Sequence, residues 1–362
     1  MGLVPLKKRI LVHGLSNNRA GTEAVIRSVV SALSDDFDFD FLVYEQITEH
    51  EDLLNLGDNR QIVSPGKGLN YLEYGKFFKR FFAEHSSEYH GVWVNRNNLK
   101  NIDLLKFSFE HNIPKRIIHM HSVPVNKSIA RSFLESKARK NIARYATDYW
   151  ACSKESASAW FPDEDVKVIP NAVDTELFRF DQAKREAIRS ELGLNDELLI
   201  GHVGRFSEEK NQSFLVDVLA HLQQINPTAK LALIGEGALQ DSCKEKVEQL
   251  GLVDSVFFLG KRKNVYDYYS AFDIFALPSK WEGFPVTLVE SQFNGLPSII
   301  SNNISDEIAF SNLIQLLPIT SGSYDVWANA INSTTRSTPI YYSSAELYRL
   351  DTLRNRMLPL IQ

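Results

Sequence analysis

Cysteine is nearly absent: the chain has two, Cys152 and Cys243, in 362 residues. Far apart, they form neither a disulfide framework nor a Cys-x-x-Cys pair, which excludes a structural zinc knot and points to a reducing compartment. No apolar run approaches the roughly 18 to 20 residues that a membrane span requires. An excess of either charge is also missing. Forty Lys and Arg against 45 Asp and Glu leave a formal charge of -5, which argues against general nucleic-acid binding and makes any anion site local. Internal repeats and low-complexity tracts are lacking as well. Residues 1–9 carry charge but lead into a strand-like run and not a leader with a small-residue cleavage site, so the expected location is the cytoplasm. What remains is an ordinary globular composition, 44% hydrophobic, at about twice the common single-domain length, so two domains are expected.

Short apolar runs alternate with helical patterns. RILVHGL at 9–15 reads as a buried strand, and residues 22–33 follow with Val25, Ile26, Val29, Val30 and Leu33 at helical spacing. The alternation recurs with runs at 39–45, 91–96, 116–122, 148–153 and 166–170, as parallel sheets covered on both faces require. Residues 171–197 are polar and break this rhythm. A second series then runs through 197–204, 230–235, 255–260, 273–278, 297–301 and 313–319, with helices at 212–225 and 239–250 between them. The expected architecture is α/β: two doubly wound, Rossmann-like domains at 1–175 and 176–340, facing each other across a cleft, and a C-terminal helix at 341–362 whose docking is open. Ligands of such sheets bind outside the strands' carboxyl ends.

The most informative stretch is LPSKWEGFPVTLVESQFNGLP at 277–297. Pro285 is placed as a first helical residue, since its missing N–H would be unpaired there anyway, and Gly295 as the stop. The helix then starts at a strand's carboxyl end and offers free N–H groups to a phosphate or sugar oxygen. Glu282 lies just before it and Glu290 on its second turn, so two carboxylates frame one pocket. The plainer reading makes Glu282 a first-turn dipole partner and Glu290 a solvated helix residue. In HVGRFSEEKNQ at 202–212, Gly204 ends a strand, and Arg205 and Lys210 lie on the loop that follows, where two cations can converge on a diphosphate. A surface salt-bridge cluster with Glu208 and Glu209 is the rival there.

Taken in order, VIPNAVDTELF at 168–178, Gly204-Arg205 with Lys210, LIGEGALQ, FLGKRKNV and PSKWEGFPVTLVESQFNGLP resemble the C-terminal half of a family 4 glycosyltransferase of the GT-B fold. The resemblance covers roughly 166–305 and is closest to enzymes of bacterial exopolysaccharide, capsule and surface-glycan biosynthesis. It implies a retaining, metal-independent hexosyltransferase that moves a sugar from a nucleotide-diphosphate donor, taken as UDP-linked, to an acceptor hydroxyl, with no cofactor beyond the donor. Carried over, it makes Arg205 and Lys210 the phosphate ligands and Glu290 the ribose ligand. Glu282 would contact the transferred sugar, Gly283, Phe284 and Pro285 its hydroxyls through the backbone, and Gly260 and Lys261 would lie near the base. NNRAGTEAVI at 17–26 is similar to the family's glycine-rich loop, with Gly21 kept and Ala20 in place of its partner. IIHMHSVP at 117–124 is similar to the segment with a histidine near the reacting sugar; His121 is the better match, and His119 points the same way one step deeper. A structural histidine is the alternative for either. The implied partners are a nucleotide sugar and an acceptor glycan or lipid-linked saccharide. A nucleotide-sugar epimerase of the same fold and a non-catalytic binding partner are the rival functions.

Other features are set aside. Asp36, Asp38 and Asp40 form Asp-x-Asp pairs, but their alternation leads into an apolar strand, so one polar and one buried face is expected and no metal. Gly235-Glu236-Gly237 has Gln240 where a dinucleotide fingerprint needs its third glycine, and reads as a strand-to-helix turn. Two regions are basic: 71–82, and 115–144, where Lys115, Arg116, Lys127, Arg131, Lys137, Arg139, Lys140 and Arg144 face one acid, Glu135. Peripheral contact with an anionic membrane and a solvated helix face are equal readings of such a surface.

Overall fold

The computed structural model describes residues 7–18, 21–66, 71–124 and 139–362. The chain divides into two compact units, Met1–Ala172 with Leu350–Gln362, and Val173–Arg349. In the first, strands β1 Lys8–His13, β2 Phe37–Val43, β3 Arg60–Val63, β4 Tyr89–Arg96, β5 Lys115–Met120, β6 Asp148–Ala151 and β7 Val166–Val168 form one sheet in the order β3-β2-β1-β4-β5-β6-β7. In the second, β8 Leu199–Val203, β9 Lys230–Ile234, β10 Val256–Gly260, β11 Ile274–Leu277, β12 Ser298–Ser301 and β13 Ile314–Leu317 follow the order β10-β9-β8-β11-β12-β13. The pairings within both sheets are parallel.

Burial on both faces explains the near-continuous apolar strands: all four residues of β11, IFAL, are buried, as are all four of β12, SIIS. The covering helices carry the periodic stripes. Helix α1, Gly21–Leu33, buries Val25, Ile26, Val29, Val30 and Leu33, and α2, Tyr71–His85, buries Tyr74, Phe78, Phe81 and Phe82. In the second unit, α3 Gln212–Leu222, α4 Gln240–Gln249, α5 Val265–Ala271 and α6 Val286–Phe293 alternate with the strands. The chain's last helix, α7 Leu350–Ile361, lies against α1 and buries Leu353, Met357 and Ile361 in the core of the first unit. The helical pattern read over the tail is interrupted. A 3-10 turn, Ser343–Tyr348, belongs to the second unit, and Arg349 is extended, bridged to Val173, before α7 begins.

Two expectations need correction. Strand β3 went unread because it is four residues long with no buried position. The Asp-Phe alternation at the start of β2 does not mark a solvent face. Asp40 is fully buried and takes hydrogen bonds from Arg9 (2.6 Å), Arg60 (2.7 Å) and Tyr89 (2.7 Å). A buried carboxylate needs such partners, because burial without them costs several kcal/mol, about 3–5.

Candidate active site

The order of the second sheet reverses between β8 and β11, the place where an open α/β sheet offers a ligand crevice at the carboxyl ends. The loops leaving these two strands, 204–211 and 278–285, carry Arg205, Lys210, Glu282, Gly283, Phe284 and Pro285 of the predicted residues. The first is held in place by backbone packing. Gly204 N donates to Ile234 O (2.9 Å) and Phe206 N to Glu236 O (3.0 Å). A Cβ on Gly235 would sit 2.1 Å from Gly204 O, and one on Gly237 2.3 Å from Phe206 O. The Gly-Glu-Gly turn therefore serves close backbone approach.

The two loops are tied together. Lys280 N donates to Glu209 O (2.8 Å), and Asn211, at a left-handed φ of 55°, donates through Nδ2 to Pro278 O (3.1 Å). Lys210 Nζ donates to Glu282 Oε1 at 2.6 Å, and Ser279 Oγ donates to the same oxygen at 2.6 Å. This ion pair is little exposed, 17% for the lysine side chain and 10% for the glutamate. Helix α6 starts at Val286 with Pro285 as its N-cap, one position later than expected, because Pro285 has ψ 87° and lies outside the helix. Gly295, at φ 70°, follows the C-cap as expected.

Glu290 is not a solvated helix residue. Its Oε2 accepts from the Tyr269 hydroxyl at 2.6 Å, and burial pushes its carboxyl up to about 7 while that hydrogen bond and the charge of Lys210 pull it back. Lys210, Glu282 and Glu290 thus share one neighbourhood. Arg205 does not join them: its side chain is 72% exposed and pairs with Glu209 at 2.7 Å, the surface pairing that the plainer reading foresaw. Gly283 is half-buried and Phe284 packs its ring 6.0 Å from Tyr348. Gly260 closes β10 at φ 64°, and Lys261 is exposed beside it. One residue went unremarked in the sequence. His202 is buried on β8, and Nδ1 donates to Ala276 O (2.9 Å), which leaves Nε2 bare beneath Gly204. Burial pushes this imidazole down to about 4.

The first sheet reverses between β1 and β4, and polar side chains gather at the same end. Asn95, on β4, donates through Nδ2 to His13 O (3.1 Å) and accepts at Oδ1 from His121 Nε2 (2.8 Å). An amide oxygen only accepts, so with this amide placement the His121 proton is on Nε2 and its buried Nδ1 is bare. Burial holds His121 down at about 3. The His119 ring lies 4.1 Å from it, fully buried on the same strand face. Gly14, at φ 117°, lets Asn95 approach, since a Cβ there would meet Asn95 Cβ at 2.7 Å. Asn95 and His13 were missed. The only hint was a polar residue ending a buried strand. Gly21 opens α1, and among the described residues nothing beyond its chain neighbours and its own helix backbone comes within 4 Å of a would-be Cβ; Ala20 lies outside the described residues.

Parts of the basic surface are structural. Arg116 donates to Tyr145 O (2.5 Å) and lies over the Phe109 ring (5.6 Å), Lys115 pairs with Asp148 (3.8 Å), and Arg139 donates to Ala159 O (2.8 Å). Lys127, Arg131, Glu135 and Lys137 lie outside the described residues. Among the described residues, no helix is long and apolar enough to cross a membrane, and no three His, Cys, Asp or Glu side chains converge as metal ligands.

Residues 184–337 match the family model of the glycosyl transferases group 1. Over 338 residues the chain is 30% identical to EpsF of Bacillus subtilis (strain 168), named as a glycosyltransferase, covering 90% of this chain and 87% of that protein. A stretch of 170 residues, 46% of this chain and 44% of the other, is 29% identical to the UDP-Gal:alpha-D-GlcNAc-diphosphoundecaprenol alpha-1,3-galactosyltransferase of Escherichia coli. Among solved structures, HepE of Anabaena in complex with UDP-glucose has a TM-score of 0.77 at 20% identity, covering 98% of this chain and 99% of that one. WaaG, a glycosyltransferase involved in lipopolysaccharide biosynthesis, has a TM-score of 0.70 at 15% identity over 98% and 99%. Such likeness establishes the GT-B fold, two Rossmann-like units, for this chain. With the family match spanning the unit that holds Lys210, Glu282 and Glu290, and a relative aligned along nearly the whole length, the chain is a glycosyltransferase and belongs to the glycosyl transferases group 1.

Proposed function

We propose that the protein transfers a hexose from a nucleoside-diphosphate sugar, UDP-linked, to a hydroxyl of a lipid-linked or growing surface polysaccharide, with retention at the anomeric carbon and without a metal or other cofactor. The observation that carries this reading is the grouping of Lys210, Glu282 and Glu290 around the start of α6, at the carboxyl ends of β8 and β11. The relatives' names point the same way: one uses a UDP-galactose donor and a diphosphoundecaprenol-linked acceptor, and another serves lipopolysaccharide biosynthesis. Contact with an anionic membrane and a cytoplasmic location belong to this proposal.

The roles follow from charge. The donor diphosphate competes for the Lys210 ammonium and releases Glu282 to the hydroxyls of the sugar, whose other contacts are the backbone of Gly283, Phe284 and Pro285. Arg205, whose side chain is exposed, exchanges Glu209 for the same phosphates. Glu290 takes the ribose and Gly260 with Lys261 the base. The bond between the anomeric carbon and the β-phosphate oxygen breaks, with its electron pair going to the phosphate. The acceptor oxygen bonds to the same face of that carbon, and its proton passes to the departing phosphate. Lys210, Arg205 and the amino-terminal end of α6 stabilise the charge that develops there.

A thermal-shift panel of nucleoside diphosphates and their sugars tests the donor: UDP and a UDP-hexose are expected to raise Tm, since only the native state binds them. With the donor so identified, Glu282→Gln is expected to lower turnover about 100-fold at saturating donor. Unchanged turnover would remove Glu282 from the chemistry.

A further inference from the structure

Tyr269 sits on α5, and its side chain is fully buried. Its ring is fixed by edge contacts to Phe178 and Phe272, with centroids at 5.7 and 6.1 Å, and by Phe275 at 5.8 Å. Its carbonyl accepts from Arg336 (2.6 Å), which also donates to Asn294 Oδ1 (3.0 Å) at the end of α6, so one guanidinium clamps the two helices that carry Tyr269 and Glu290. The phenol has one proton and two acceptors in range, Glu290 Oε2 at 2.6 Å and Thr287 O at 3.4 Å; the shorter, charge-assisted contact takes it. We propose that Tyr269 is a positioning residue for donor recognition, holding one oxygen of Glu290 so that the carboxylate turns the other toward the ribose diol of a nucleoside diphosphate. The proposal rests on the reading of Glu290 as the ribose ligand.

Two further observations fit. Thr287 Oγ1, one turn earlier on α6, is buried with no hydrogen-bond partner among the described residues, so it does not compete with Tyr269 for the Glu290 carboxylate. The charged groups around Glu290 are Lys210 and, through it, Glu282, so the phenol is the neutral donor that secures the carboxylate once a diphosphate has drawn Lys210 away. Because burial raises Glu290 and the phenol lowers it, the strength of the ribose contact should follow pH through neutrality.

The test compares the Kd of UDP with that of 2′,3′-dideoxy-UDP, using the whole protein from pH 6 to 8.5. Titration of the diphosphate is common to both ligands and cancels in the ratio. The wild type is expected to prefer UDP above neutrality and to lose the preference as Glu290 protonates. Tyr269→Phe is expected to reduce the preference at pH 8 about fivefold and move its midpoint up, with kcat changing less than KM. Tyr269→3-fluorotyrosine, isosteric and a stronger donor, should move the midpoint down, and serves if the phenylalanine variant does not fold. A ratio and midpoint unmoved in folded variants, or a wild-type ratio that is flat with pH, would overturn the proposal. Glu290→Gln separates the two failures. If it leaves UDP binding unchanged, the ribose reading fails; if it weakens UDP while the tyrosine variants behave as wild type, only the role of Tyr269 fails.

Discussion

At the scale of the residue, burial decides which groups hold protons. His121 and His202 are held at about 3 and about 4 against an ordinary 6.5, and burial also lowers His13 and His119. A histidine whose folded pKa is depressed binds fewer protons folded than unfolded between the two values. The stability it contributes is therefore complete above about 6.5 and is lost as the pH falls. At pH 5 each such histidine costs on the order of 2 kcal/mol. Tm is expected to fall between pH 7.5 and 5, and His202→Gln to flatten that slope; an unchanged slope would exclude His202 as a contributor. Glu290 runs the other way, since a carboxyl raised to about 7 favours the folded state while protonated and loses that advantage as the pH rises through 7. The acidic residues of the site were legible as types at the right spacing. The partners of the candidate residues were not: Tyr269 lies 21 residues from Glu290, and Asn95 lies 26 from His121.

At the scale of the element, the strand-to-helix loops of the second sheet work as a stack. The loop after β8 rests on the loop after β9 with no room for a side chain between them. Gly237→Ala, which would set a Cβ 2.3 Å from Phe206 O, is expected to displace the loop bearing Lys210. The effect should be a loss of about 1–3 kcal/mol of stability together with a raised donor KM, read by denaturant unfolding and steady-state kinetics. A rise in KM is the informative part, because strain elsewhere would lower stability alone. The strand runs and the main helices were readable from period and punctuation, including the stop at Gly295. The first turn of α6 was misplaced by one residue because proline fits both the N-cap and the first helical position, and only its ψ separates them.

At the scale of the whole molecule, the chain returns to its first unit for its last helix. Leu353, Met357 and Ile361 fill a core shared with α1, Arg354 pairs with Asp36 (2.7 Å), and His90 Nε2 donates to Ile361 O (3.1 Å). Deleting residues 350–362 is expected to raise hydrogen exchange in α1 and the first sheet while leaving β8 to β13 protected; equal exposure of both sheets would show that α7 stabilises the molecule as a whole. No pattern within the tail could have assigned this docking, since an amphipathic stripe states that a helix has a buried face and not which surface covers it. By itself the sequence determined the rhythm of two α/β series, the helix that starts at a strand's carboxyl end, and the residue types collected there, because these follow from periodicity and local backbone chemistry. Only the tertiary structure decided that Lys210 meets Glu282 across 72 residues while Arg205 turns away to Glu209. That choice depends on β8 and β11 being neighbours at the point where strand order reverses, and sheet order is a global packing solution that no local window of residues encodes.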